Sequence, residues 1–269
     1  MYNNFYGFTE SPFNLTPDPR FLFFSERHRE AFNHLLFGVN ERKGFIQITG
    51  EVGAGKTTLC RAFLEKLEEH YRTALILNPC MTSTQLLRTV ITELGMKAPR
   101  DRVSCLATLN SFLLEQVGDG NEVVLIIDEA QDLSAELLEQ VRLLSNLETD
   151  HRKLLQIILI GQTELRDMLN TRRLRQLRQR ITVRYHLMPL SLDETEYYIR
   201  HRLQIAGDDS PPTFSSWAVR SVYRYSGGVP RLINAVCDKA LLCGFVSRSE
   251  RLTRKHVRRA ILDLEGRPS

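Results

Sequence analysis

The sequence predicts an α/β fold: a mainly parallel sheet wrapped by helices, followed by a smaller all-helical domain. Three observations predict it. A short apolar strand at Phe45, Ile46 and Ile48 turns through Gly50, Gly53 and Gly55 straight into a helix beginning near Lys56. Val123–Ile127 is apolar at every position, as a strand covered on both faces of a parallel sheet is. After Pro189 every periodic segment is helical.

Composition narrows the class. The chain has 269 residues, 42% of them hydrophobic and 25% charged, enough for one large or two moderate domains. A net charge of +4 permits nucleic acid or an acidic membrane surface as partner without arguing for either. The five cysteines, Cys60, Cys80, Cys105, Cys237 and Cys243, form no C-x-x-C pair and read as reduced thiols. No basic-then-apolar leader opens the sequence, and Val123–Ile127 and Leu154–Ile160 are too short to span a bilayer. The expectation is a cytoplasmic protein with no transmembrane segment.

In chain order, residues 1–24 form an arm rich in Phe and Pro, too aromatic for a disordered tail. It is expected to run extended on the nucleotide side, either as simple packing or as a cover for adenine. Glu26–Val39 reads as a helix capped by Ser25. Residues 50–57 then fit G-x-x-x-x-G-K-[ST] in its required strand–turn–helix context. A triphosphate is held by backbone N–H groups, and glycine allows the close approach and the positive φ that this needs. The predicted nucleotide cradle is Gly50, Glu51, Val52, Gly53, Ala54, Gly55, Lys56, Thr57 and Thr58. Lys56 supplies charge to the β- and γ-phosphates, and the Thr57 hydroxyl reaches Mg²⁺.

Thr73–Leu77 is a second strand; helices follow at 82–94 and about 104–117. The strand Val123–Ile127 ends in Asp128 and Glu129, where open α/β sheets place ligand chemistry. Beside a phosphate loop, Asp128 is the expected metal carboxylate and Glu129 the residue that polarises the attacking water. Ser134 caps a helix carrying Leu137, Leu138, Val141 and Leu144. Leu154–Ile160 is the next strand, and Gln162 at its tip is either a sensor of the γ-phosphate or a helix cap. Leu165–Gln179 reads as one arginine-rich helix before the strand Ile181–Tyr185. Its arginines are either a solvated face or the source of one that reaches a neighbour's γ-phosphate, Arg180 first, with Arg178 and Arg173 behind it. Helices are expected at 193–206, 214–225, 229–245 and 253–264, with Gly207–Pro212 and Ser226-Gly-Gly as breaks. Gly228-Val-Pro-Arg231 opens the third of them, with Pro230 suited to a first turn. The expected domains are an arm (1–24), an α/β core (25–189) and a helical lid (190–269).

In this order, Gly50–Thr57, Asp128-Glu129, Gln162, Arg180 and Gly228–Arg231 resemble an AAA+ ATPase. The resemblance implies a P-loop core with a five-stranded parallel sheet in the order 5-1-4-3-2, a helical lid, and ATP with Mg²⁺ bound between subunits of a ring or helical homo-oligomer. It implies sensor 1 for Gln162, an arginine finger for Arg180 and sensor 2 for Arg231. A narrower resemblance rests on the arm Phe5–Phe21 with Gly50–Thr58 and Asp128–Leu133. These are similar to the general secretion pathway protein A (ExeA-like) family, which includes ATPases of MSHA-pilus biogenesis. That implies an ATPase driving an envelope-assembly partner, recruited to the inner membrane face. The sequence to Ser269 carries neither the membrane helix nor the peptidoglycan-binding domain of many members, so wall binding is not expected. The module is also related to transposition regulators of the TnsC and MuB type. That leaves open a DNA-binding alternative, to which Arg248, Arg251, Arg254, Lys255, Arg258 and Arg259 would contribute. Glu250, Asp263 and Glu265 dilute that patch, so DNA binding is expected to be weak.

Overall fold

The computed structural model describes residues 2–14, 18–148, 152–207 and 211–267. Arm residues 15–17, with Pro17, and residues 208–210 of the predicted break lie outside them, as does Ser269. The chain packs as two units, one of residues 29–50 and 60–187, the other of residues 1–28, 51–59 and 188–269.

The first unit is built on five strands: β1 (Phe45–Gly50), β2 (Tyr71–Ile76), β3 (Glu122–Ile127), β4 (Leu155–Gly161) and β5 (Ile181–Leu187). All neighbouring pairs are parallel, in the order β2-β3-β4-β1-β5, which is the expected 5-1-4-3-2. Parallel pairing obliges each crossover to pass over a sheet face, and helices fill those crossovers. Burial follows position. β1 and β4 are buried at every residue and β3 at all but Glu122, whereas β5 at the sheet edge alternates buried Ile181 and Val183 with exposed Thr182 and Arg184. The uniform apolar run of β3 and the alternation of β5 record these two environments.

The arginine-rich segment differs from the single helix expected over Leu165–Gln179. It is a helix Thr163–Leu169, a 3₁₀ turn Arg172–Leu174 and a helix Arg175–Arg180. The break falls at Asn170-Thr171, where the Thr171 hydroxyl donates to Met168 O at 2.7 Å and competes with helix continuation. The turn lets Leu169, Leu174 and Leu177 all reach the core.

The second unit contains helices Leu192–Ala206, Ser216–Ser226, Pro230–Val246 and Arg254–Leu264. Residues 213–214 and 251–252, read as helical or linking, instead form a two-residue parallel pair. Ser191 and Glu194 close a capping box at the first helix. The arm contributes to this unit's core: Tyr6, Phe8, Phe13 and Phe21 are buried among Tyr198, Leu203, Val222 and Val236. The arm was expected to be extended, but Tyr2–Tyr6 is a helix. Gly7, at φ +71°, and the Phe8 N–H donating to Asn3 O at 2.9 Å end it in a Schellman motif. Arg202, 7% exposed, donates to the arm carbonyls of Pro12 (2.6 Å) and Asn14 (3.0 Å) and lies over the Phe21 ring. Among the described residues no helix is long and apolar enough to cross a membrane.

Candidate active site

The sheet brings three chain exits to one edge. β4 lies between β1 and β3, and all three run parallel, so Gly50, Asp128 and Gln162 emerge at adjacent C-terminal strand ends. Gly50 is needed there because a Cβ would meet Leu187 O of β5 at 2.7 Å. Asp128 is 2% exposed and continues the ladder through its N–H to Ile76 O. Its Oδ1 accepts the Glu129 N–H at 2.9 Å.

Glu129 has φ 50° and ψ 39°, left-handed backbone that a β-carbon disfavours by about 1–3 kcal/mol. The strain turns the chain into a 3₁₀ turn, Ala130–Asp132, which swings Gln131 back over the strand ends. Gln131 Nε2 donates to Glu129 Oε2 at 2.8 Å, and Gln162 Nε2 donates to the same oxygen at 3.2 Å. Gln162 N–H in turn donates to Gln131 Oε1 at 2.9 Å. Gln162 stands at the N-cap position of the helix Thr163–Leu169, but its side chain makes no cap bond and reaches Glu129. Gln131 escapes sequence reasoning, since only the turn geometry reveals where a residue two places after Glu129 points.

The second unit holds the loop. Gly53 and Gly55 have φ +78° and +97°, the conformation that turns successive N–H groups toward a common point. Lys56, 6% exposed, donates from Nζ to Glu51 O at 3.0 Å. The helix Lys56–Lys66 starts at this point, so its N-terminal amides and positive dipole end favour an anion. The loop is backed on two sides. A Cβ on Gly53 would lie 2.3 Å from Arg231 Cβ, and the Arg231 N–H donates to Gly53 O at 3.2 Å. A Cβ on Gly55 would lie 3.1 Å from His28 Nε2. His28, 4% exposed, joins Ala54 O through Nε2 (3.1 Å) and Ser25 Oγ through Nδ1 (2.8 Å). Ser25 also accepts the His28 N–H, which makes it the predicted helix cap. Burial holds the imidazole below its ordinary pKa, so it is neutral, with one nitrogen donating and one accepting. Nothing in the spacing of the sequence ties His28 to residues 51–59.

Among the described residues no group of three or more His, Cys, Asp and Glu could hold a metal. A metal here takes most of its ligands from phosphates and water, as Mg²⁺ does, and one hydroxyl with one carboxylate suffices. The glycine-lined, lysine-bearing loop with its Thr57 hydroxyl fits a polyphosphate, and the Asp128 carboxylate at the end of β3 is of the oxygen-donor kind that Mg²⁺ takes. The Cys60 thiol, on the loop's helix, is pushed up to about 12 by burial and then by the Asp128 charge, which makes it inert.

The arginines differ in their ties. Arg180 donates to Ser145 Oγ at 2.7 Å, to Arg142 O at 3.4 Å and to Asn146 Oδ1, at the C-terminal end of the helix Ala135–Leu144. Arg178 donates to Asn170 Oδ1 at 3.3 Å. Arg173 meets Glu136 at 3.2 Å, and both side chains are largely exposed.

The strand order is that of a P-loop α/β fold, and the AAA domain family model matches residues 39–169. The chain resembles General secretion pathway protein A of Aeromonas hydrophila, at 44% identity over 99% of this chain. It spans about half of that relative, 49% of its length. Solved structures share the fold. The Aeropyrum pernix ORC2 protein in ADPNP-ADP complexes matches with TM-score 0.72 and 16% identity, over 96% of this chain and 72% of that one. Drosophila ORC bound to DNA matches with TM-score 0.70 and 19% identity, over 94% and 64%. The Thermotoga maritima RuvB Holliday junction branch migration motor matches with TM-score 0.58 and 16% identity, over 90% and 69%.

Proposed function

We propose that this protein binds ATP with Mg²⁺ and hydrolyses it to ADP and phosphate, driving conformational change in a partner of a secretion or pilus assembly. The observation that supports the hydrolytic reading is the convergence of the loop strand, the Asp128-Glu129 pair and Gln162 at neighbouring C-terminal strand ends. The loop amides and Lys56 bind the phosphates. Thr57 and Asp128 hold Mg²⁺, which supplies charge neutralisation on the phosphates when bound. Glu129 orients the attacking water and draws its proton. Gln162 acts as sensor 1 beside it, and Arg231 as sensor 2 behind the loop. Arg180 completes the site of a neighbouring subunit in a ring or helical homo-oligomer. The envelope role follows the name of the relative matched along the whole chain. The chain works on the cytoplasmic side, and DNA is a weak, salt-sensitive ligand.

The test separates binding from turnover. Lys56→Ala is expected to abolish productive ATP binding. Glu129→Gln is expected to bind ATP and lose ~10²–10⁴-fold in phosphate release, the range of a positioned acid–base group. Equilibrium binding with steady-state phosphate release distinguishes them, and full turnover by Glu129→Gln would remove that residue from the mechanism.

A further inference from the structure

We propose that Gln131 is a positioning residue that fixes the Glu129 carboxylate for hydrolysis; the proposal rests on the hydrolytic reading above. In that step the water oxygen bonds to the γ-phosphorus while the bond from that phosphorus to the β–γ bridging oxygen breaks. The electron pair leaves with ADP, and one water proton passes to Glu129. The rate then depends on where the carboxylate oxygens point.

The amide of Gln131 has one chemically allowed orientation. Its Oε1 faces the Gln162 N–H, which can only donate, and its Nε2 faces a carboxylate, which when ionised can only accept. A flipped amide would set donor against donor and acceptor against acceptor. Gln131 thus reads two fixed groups at once and ties the Glu129 carboxylate to the backbone at the tip of β4. Its place is kept open by Gly161, where a Cβ would stand 2.9 Å from Gln131 Oε1. Both amide donors, from Gln131 and Gln162, fall on Oε2 of Glu129. Oε1 is therefore the oxygen assigned to the water. The strained left-handed backbone of Glu129 starts the turn that carries Gln131 into position, so strain and clamp belong to one device.

A small misplacement of a catalytic group costs ~10²-fold, so Gln131→Ala is expected to lower kcat by roughly 10- to 100-fold. KM and the ATP dissociation constant should stay near the wild-type values, because the bonds of Gln131 run to the Glu129 carboxylate and to the backbone N–H of Gln162, and leave the loop amides, Lys56 and the Gln162 side chain in place. A cycle supplies the readout that a structural role would not move. In the Glu129→Gln background, Gln131→Ala should cause no further loss, since it acts through the carboxylate already removed. Gln131→Met, which keeps the length and removes both polar ends, should behave like Gln131→Ala. A kcat within about twofold of wild type, or losses that multiply in the double variant, would overturn the proposal. So would failure of both the Ala and Met variants to fold, which would make Gln131 structural. Wild-type protein that binds ATP but releases no phosphate would remove the hydrolytic reading and this one with it, and it would do so before any substitution is made.

Discussion

A buried histidine set against a phosphate loop makes the loop's geometry sensitive to acid. His28 is held below its ordinary pKa of about 6.5 by burial, so the unfolded chain takes up its proton first as pH falls. Its contribution to stability is therefore complete above about 6.5 and is lost as pH falls through the lower folded value. The melting temperature should therefore drop between neutral pH and pH about 5, and the drop should shrink in His28→Gln. His201 and His256 are depressed in the same direction by their own burial and remain in both proteins, so the difference isolates His28. Equal pH slopes in the two would refute the assignment. At this scale the sequence was legible wherever a motif fixes a residue's place in the backbone, as for Lys56 at a helix start and Asp128 at the end of β3. It was not legible for His28 and Gln131, whose contacts depend on a helix start and a 3₁₀ turn that only the folded backbone supplies.

Elements were readable in proportion to how strongly burial patterns them. β3 announces itself because both of its faces are covered, and β5 because its alternation records a sheet edge. The break at Asn170-Thr171 stayed hidden, because arginines on a leucine stripe fit one long helix as well as two short ones. So did the helical start of the arm, whose aromatics find their partners only in the core formed with residues 190–260. Glycines at element junctions give this scale its test. Gly228 has φ +82°, its O accepts the Leu190 N–H at 3.0 Å, and a Cβ there would stand 1.9 Å from Leu190 O. Gly95, at φ +83°, has nothing within 4 Å of such a Cβ. Gly95→Ala should cost only the backbone strain, about 1–2 kcal/mol. Gly228→Ala adds a clash with backbone that cannot rotate away, and should cost more than that, ~3 kcal/mol or beyond. Denaturant midpoints measured side by side decide it; equal losses would mean that the residue 188–190 backbone yields freely.

For the whole molecule, the question is whether one chain can turn over ATP alone. Lys56 and Glu129 belong to a chain's own phosphate loop and strand end, but the arginine that completes the site is proposed to come from a neighbour. Arg180 is engaged within its own chain, donating to Ser145 and Arg142. Acting as a finger means exchanging those neutral acceptors for a phosphate, a stronger charge-assisted bond. Arg173 is the competitor, because its pairing with Glu136 is solvent-exposed and worth at most about 1 kcal/mol. A finger is worth ~10³–10⁵ in rate, so loss of the right arginine should all but silence hydrolysis while leaving ATP binding intact. Mixing then identifies it. Lys56→Ala lacks binding but keeps its arginine, and Arg180→Ala lacks the arginine but keeps its loop. Together they should regain part of the activity that neither has alone, whereas Arg173→Ala should be active by itself. If Arg173→Ala is the silent variant and the one that Lys56→Ala rescues, the finger is Arg173. Turnover that is independent of protein concentration, in a chain that stays monomeric with ATP, would show that the site is complete within one subunit.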